Sequence, residues 1–263
     1  MTFGSLFAGI GGMDLGLEWA GMACEWQVEI DGYARRVLAK HWPNVPKHDD
    51  VRTFPPNEGD WNVDVIAGGF PCQDISNAGK RAGITGERSG LWTEFARIIR
   101  DLRPRYVLVE NVAAITSRGL DRVLGDLAEI GFDAEWQVLP ACAFGAPHIR
   151  ERLFIVAYRH GHELHRVFPA SRPDTIDAWW LATQKVKTWD RGFAQLESVG
   201  IALRCNSYAD ARRILDGIPR RVDRLRGLGN AVVPQVTEWI GRRIIEHARH
   251  QDEVGRAELG RVE

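Results

Sequence analysis

At 263 residues, 44% of them hydrophobic and 26% charged, the chain has apolar material for one sizeable buried core, alone or with a small appendage. A net charge of −1 excludes nothing, because a nucleic-acid binder needs a basic face and not a basic total. No secretory signal or run of about 18 apolar residues is present, so no membrane association is expected and the expected location is cytoplasmic. The four cysteines, Cys24, Cys72, Cys142 and Cys205, form no C-x-x-C pair, which argues against a zinc site or disulfide framework and for reduced thiols.

In chain order, Thr2 to Phe7 reads as a short buried strand running into Ala8-Gly9-Ile10-Gly11-Gly12. A helix follows with Met13, Gly16, Leu17 and Ala20 at helical spacing, ended by Gly21. A second strand, Cys24 to Ile30, leads to a helix with Tyr33, Val37 and Leu38 on one face that stops at His41-Trp42, ahead of Pro43. Strands at Val63 to Ala67 and Tyr106 to Val109 bracket a helix with Leu91, Phe95, Ile98 and Leu102 inward. The next helix carries Leu120, Val123, Leu124 and Leu127, closed by Gly131. This alternation predicts an α/β fold, a doubly wound, mostly parallel sheet covered on both faces. Ala134 to Leu139 and Arg152 to Ala157, joined through Gly145 and Pro147, are expected to form an antiparallel edge pair. Periodicity lapses after Arg159 and returns at Val236, Trp239, Ile240 and Ile244, in a helix opened by Pro234. The charged stretch from His247 to Glu263 reads as a frayed tail.

The turn FAGIGG lies where a strand becomes a helix, so its backbone N–H groups face a ligand that glycine lets approach closely; a tight connection is the alternative. Glu29, about 20 residues on at the next strand end, is placed to accept ribose hydroxyl bonds. Asp50 would meet an adenine amino group or cap a turn. Together they suggest an adenosine-containing cofactor without a pyrophosphate.

The segment AGGFPCQDISNAGKRAG, Ala67 to Gly83, places Cys72 behind Pro71 at the carboxyl end of a central strand, where open α/β sheets form their ligand crevice. A lone cysteine is ordinarily a small core hydrophobe. Here its thiolate could serve as a nucleophile, activated by nearby cations or a helix N-terminus. The next strand ends in Glu110-Asn111-Val112, bringing beside it an acid whose burial would favour the proton-donating form.

FAGIGG, GGFPCQ, ENV, RERLFIVA from Arg150 and GNAVVP from Gly229, in this order, resemble the motif set of the DNA (cytosine-5) methyltransferases, as small bacterial and prophage members carry it. The resemblance spans nearly the whole chain except about 60 residues after Arg159. It implies a Rossmann-like catalytic domain over 1–158, a short irregular target-recognition segment over 159–216, and a return to the catalytic domain over 217–246 before the tail, 247–263. It implies S-adenosyl-L-methionine as cofactor, S-adenosyl-L-homocysteine as product and no metal. The expected partner is double-stranded DNA and the expected state a monomer, with a cognate restriction endonuclease left open.

Under the same resemblance Cys72 is the nucleophile toward carbon 6 of a flipped-out cytosine and Glu110 the acid at ring nitrogen 3. Arg150 and Arg152, two apart on a strand, face one side to position the acid, phosphate and base. His148 departs from the glutamine common before them. The cofactor site would take Phe7, Ala8, Gly9, Ile10, Gly11, Gly12, Glu29, Ile30, Asp50, Val51, Phe70, Pro71, Leu91, Asn230, Ala231 and Val232; Ile30 stands where an aromatic residue is common. Ser76, Lys80, Arg81 and Arg88 match the loop that closes over DNA. Arg220, Arg221 and Arg224, in a cluster with Arg212, Arg213 and Arg226, are candidate phosphate contacts, and a solvated helix face is the alternative. Trp179, Trp180 and Trp189 read as core of the recognition segment before they read as base contacts. The competing functions are methylation of cytosine in transfer RNA, a catalytically silent DNA-binding relative, and a dinucleotide-dependent oxidoreductase that would leave Cys72, Glu110 and the arginines unexplained.

Overall fold

The computed structural model describes residues 1–71, 90–146, 150–160, 166–168 and 231–259. Its seven strands are β1 Thr2–Leu6, β2 Ala23–Val28, β3 Lys47–His48, β4 Val65–Gly68, β5 Tyr106–Val112, β6 Phe132–Pro140 and β7 Glu151–Arg159. They form one sheet in the order β3-β2-β1-β4-β5-β7-β6. The first five are mutually parallel, and β7 runs antiparallel to both neighbours, β5 and β6. The expected antiparallel pair is present, but β7 is inserted inside the sheet and only β6 forms the edge. Buried apolar side chains at every position from Leu153 to Ala157 suit a strand covered on both faces.

Five helices are described: α1 Gly12–Trp19, α2 Gly32–His41, α3 Leu91–Leu102, α4 Leu120–Ile130 and α5 Pro234–Leu259. Trp92, Phe95, Ile98 and Ile99 of α3, with Val123 and Leu127 of α4, cover one sheet face against Leu6, Ile66, Val107 and Val109. Met13 and Leu17 of α1, with Trp239, Ile240 and Ile244 of α5, cover the other against Phe3, Val65, Leu108 and Val156. Asp31 caps α2, its carboxylate accepting from Tyr33 N and Ala34 N at 2.8 and 2.9 Å. Gly131 closes α4 at φ 96°, the left-handed conformation that glycine adopts without strain.

The helix pair α1 and α5 crosses at close range. A Cβ on Gly16 would lie 2.0 Å from Thr237 Oγ1 and 2.2 Å from the Pro234 carbonyl, and Thr237 Oγ1 donates to Met13 O at 3.3 Å. A Cβ on Gly12 would meet Val232 O at 2.4 Å. These glycines let the end of the chain return against its beginning.

The tail expected from His247 is corrected: α5 continues to Leu259, with His247 and Ala248 buried. Tyr106 Oη and His247 Nδ1 share a hydrogen bond at 2.8 Å, and Arg105 pairs with Asp252 at 2.7 Å, which ties the helix to the start of β5. Within the expected recognition segment only 159, 160 and 166–168 are described. Val167 and Phe168 are buried, and the Glu135 carboxylate accepts from their N–H groups at 2.7 and 3.1 Å.

Candidate active site

Sheet order reverses between β1 and β4, and a cleft of about 450 Å³ opens at the carboxyl ends of β2, β1, β4 and β5. Its wall at β1 is the glycine turn. Phe7, Gly9 and Gly11 take φ of 55°, 58° and 84°, and Ala8 N donates to Val28 O at 3.1 Å, which turns the chain sharply off the strand. A Cβ on Gly9 would meet nothing within 4 Å, so the side-chain position of this cleft-lining residue is open space.

Glu29 fixes that turn to the end of β2. Its Oε2 accepts from Gly9 N and its Oε1 from Asp31 N, both at 2.7 Å. A carboxylate has about four lone-pair sites, so two bonds leave capacity for hydroxyls in the cleft. Ile30 beside it is 67% exposed, an apolar platform facing the cleft opening. Arg35 donates to the carbonyls of Glu29 and Ile30 at 2.8 and 2.9 Å and holds that corner.

At the other end, Glu110 near the end of β5 forms an ion pair with Arg152 Nε at 3.0 Å and keeps 12% of its side chain exposed. Burial pushes its carboxyl above the usual carboxylate range, and the charges of Arg152 and Arg150 oppose that shift. Both arginines line the cleft with Glu110, as their spacing predicts. A Cβ on Gly69 would stand 2.7 Å from Glu110 Oε2, so this glycine makes room for the acid. Buried Asn111 donates from Nδ2 to Phe70 O at 3.3 Å and accepts from Val112 N at 2.8 Å, tying β5 to the strand end that leads to Pro71. Phe70 is itself buried against Trp92, ring centroids 5.3 Å apart.

The cleft thus gathers Phe7, Ala8, Gly9, Ile10, Gly12, Glu29, Ile30, Phe70, Pro71, Ala231 and Val232 with Glu110, Arg150 and Arg152. Gly11, Asp50, Val51 and Leu91 do not line it. Gly11 packs on Trp42, Val51 is buried in the core, Leu91 packs against that core, and Asp50 caps a short 3-10 helix, Val51–Thr53, and pairs with Arg52 at 2.7 Å. Cys72, Ser76, Lys80, Arg81, Arg88, His148, Trp179, Trp180, Trp189, Arg212, Arg213, Arg220, Arg221, Arg224, Arg226 and Asn230 lie outside the described residues. Sequence reading did not single out Ser5, Gly69 or Asn111. Asn111 stood within the ENV motif, whereas Gly69 acquires its meaning only when β4 and β5 are paired.

Residues 1–192 match the family model described as C-5 cytosine-specific DNA methylase. The type II methyltransferase M2.BsuMI of Bacillus subtilis strain 168 is 29% identical over 91% of this chain and 74% of its own length. M.Eco47II of Escherichia coli is 41% identical over 59% of this chain, and M.HhaI of Haemophilus parahaemolyticus 33% over 61%. Those alignments span only 39% and 50% of the two relatives. Among solved structures, a DNA modification methyltransferase encoded within an E. coli prophage superposes with TM-score 0.65 at 18% identity, covering 95% of this chain and 99% of that one. S. pombe Dnmt2 methyltransferase gives 0.60 at 16%, covering 94% and 98%. At such identities the structures establish a shared fold, while the sequence match over 1–192 takes in the glycine turn, the acid and both arginines: the chain belongs to the C-5 cytosine-specific DNA methylase family.

Proposed function

We propose that the chain is an S-adenosyl-L-methionine-dependent DNA (cytosine-5)-methyltransferase acting on duplex DNA. The observation that carries this reading is the largely buried Glu110, paired with Arg152 in one cleft with the glycine turn and Pro71. An acid whose burial favours the protonated form, and which guanidinium groups steer, is suited to donate to a ring nitrogen.

The cleft fits the proposed cofactor on its own features: open space at Gly9, spare acceptor capacity on Glu29 and an apolar platform at Ile30. Glu29 would hold the ribose hydroxyls, Ile30 and Phe7 would pack on the adenine, and the segment Ala231–Val232 would close the side. S-adenosyl-L-methionine, when bound, supplies an electrophilic methyl group. Cys72, which follows Pro71 in the chain, adds its thiolate to carbon 6 of cytosine while Glu110 protonates nitrogen 3, and the resulting enamine makes carbon 5 nucleophilic. Carbon 5 would then take the methyl group, leaving S-adenosyl-L-homocysteine; loss of the carbon 5 proton to water expels the thiolate, and the nitrogen 3 proton returns to Glu110. Arg150 and Arg152 orient the acid and the base oxygen. The cytosine must leave the duplex stack to reach these groups, at a cost of a few kcal/mol.

Tritiated methyl transfer to a mixed-sequence duplex, with bisulfite sequencing of the product and Cys72→Ala as control, tests the reading. Cysteine-dependent methylation of cytosine supports it. A protein that binds cofactor, leaves duplex DNA unmodified and methylates transfer RNA would overturn the choice of substrate.

A further inference from the structure

Asp14, in the first turn of α1, is completely buried, and the reaction above gives it no task. Its Oδ2 accepts from Ser5 Oγ at 3.0 Å and its Oδ1 from Gln27 Nε2 at 2.7 Å, so one carboxylate joins α1 to β1 and β2. Two neutral donors are modest compensation for a buried charge. The charged and titratable groups acting on it are Glu18 of its own helix, Cys24 of β2 and Lys47 of β3, whose ammonium donates to the carbonyls of Trp42 and Val45. Desolvation raises the Asp14 carboxyl to about 6, so it is an anion at neutral pH that a modest acidification discharges.

Ser5 lines the cleft, and a hydroxyl that gives its only proton to Asp14 can offer the cleft only lone pairs. The position is central. In the order β2-β1-β4-β5, Glu29 stands at the end of β2, Pro71 after β4 and Glu110 on β5. A ligand with its ribose on Glu29 and its reacting carbon toward Pro71 and Glu110 would carry its sulfur across β1, the strand that bears Ser5. We infer that Asp14, acting through Ser5, is a positioning residue that makes this stretch of the cleft favour a cationic sulfonium over a neutral thioether, and hence unspent cofactor over product. The inference rests on the cofactor reading above. S-adenosyl-L-methionine and S-adenosyl-L-homocysteine differ at the sulfur by a methyl group and its charge, so contacts to adenine, ribose and the amino-acid end cancel in their affinity ratio.

Equilibrium binding of both ligands to the full chain and to Asp14→Asn, at pH 7.5 and pH 5, tests it. Asparagine is nearly isosteric and can donate to Gln27 Oε1, a buried acceptor without a partner among the described residues, after the Gln27 amide turns over. At pH 7.5 the variant should lose about tenfold in affinity for S-adenosyl-L-methionine and less than about twofold for S-adenosyl-L-homocysteine, the scale of a unit charge acting at an effective dielectric of about 20. The wild-type ratio should narrow similarly at pH 5 and the variant's should not. Glu18, Glu29, Glu110, Cys24 and Lys47 are common to both proteins, so the pH dependence that the variant lacks belongs to Asp14. Ser5→Ala, which keeps the charge and removes the hydroxyl, should give an intermediate ratio, and the wild-type pH series stands even if a variant fails to fold. Equal weakening of both ligands, or an unchanged ratio, overturns the inference, whereas a wild-type protein that binds neither ligand overturns the cofactor reading instead.

Discussion

In the proposed reaction the carboxyl of Glu110 keeps its proton until nitrogen 3 of cytosine takes it; burial favours that state, and Arg152 at 3.0 Å opposes it. Glu110→Gln keeps the shape and removes the transferable proton, so kcat should fall about 10²- to 10⁴-fold while the cofactor dissociation constant stays within about twofold. Comparable losses in both would make Glu110 a binding residue. Gly69→Ala addresses the same acid indirectly: the added methyl meets Oε2 at 2.7 Å, and the flexible carboxylate yields before the backbone does. Methyl transfer should drop at least about tenfold with an unchanged urea midpoint, and full activity would show that the carboxylate has room elsewhere. Asp14 gives a stability effect of definite sign. Its folded value near 6 lies above the ordinary 3.8, so the folded state holds this proton more tightly than the unfolded chain does. The stabilisation is fully present below about pH 4 and is lost as pH rises through about 6, amounting to at most about 2–3 kcal/mol. In urea unfolding, Asp14→Asn should therefore gain stability relative to wild type between pH 4.5 and 7.5; parallel pH profiles would place the ionised carboxylate in a better-solvated setting than its burial indicates.

Helix α1 shows how packing reverses a propensity rule. An alanine in place of glycine inside a helix ordinarily gains about 0.5–1 kcal/mol, yet at Gly16 the new methyl would press on the Pro234 carbonyl at 2.2 Å. Gly16→Ala should cost about 1–3 kcal/mol in urea unfolding, and a stabilised variant would mean that α5 can shift outward. The far end of α5 makes the complementary case. Truncation after Glu246 removes the partner of Tyr106 and the Arg105–Asp252 pair, and should lower Tm by several degrees. An unchanged Tm after this truncation would restore the frayed tail that the charged sequence suggests. That sequence misleads because the buried face of α5 includes Thr237, Glu238 and His247, and Glu238 is satisfied by Arg242 at 2.8 Å, so its hydrophobic period is diluted by polar residues that find partners. The long apolar strands were legible because side chains buried on both faces leave unbroken runs. Lys47–His48 was not: β3 is two residues long and is recognisable only through backbone bonds from Gln27 N to Pro46 O and from Glu29 N to His48 O.

At the scale of the whole molecule the cleft is assembled from four strand ends and from Ala231 and Val232, which are more than 200 residues from the glycine turn they adjoin. What sequence could show of it was local: a glycine turn with an acid about 20 residues on, and a cysteine and an acid each near a strand end. What it could not show were groups defined by juxtaposition, such as Gly69 under Glu110, Ser5 over Asp14 and Gly12 against Val232. The same assembly predicts that a ligand in the cleft stabilises the chain as a unit, because it contacts both sheet ends of the crossover and the segment that leads into α5. S-adenosyl-L-homocysteine at about 100 times its dissociation constant should add about 2.7 kcal/mol, or roughly 5–10 °C in Tm for a domain of this size. Glu29→Ala should shrink that shift at fixed ligand concentration by loosening the turn. Gly12→Ala should shrink it by forcing the Val232 carbonyl, which its methyl would meet at 2.4 Å, out of the cleft wall. If Gly12→Ala lowers the ligand-free Tm and leaves the shift intact, the return of the chain against α1 serves the fold alone, and the cofactor is held entirely by the strand ends.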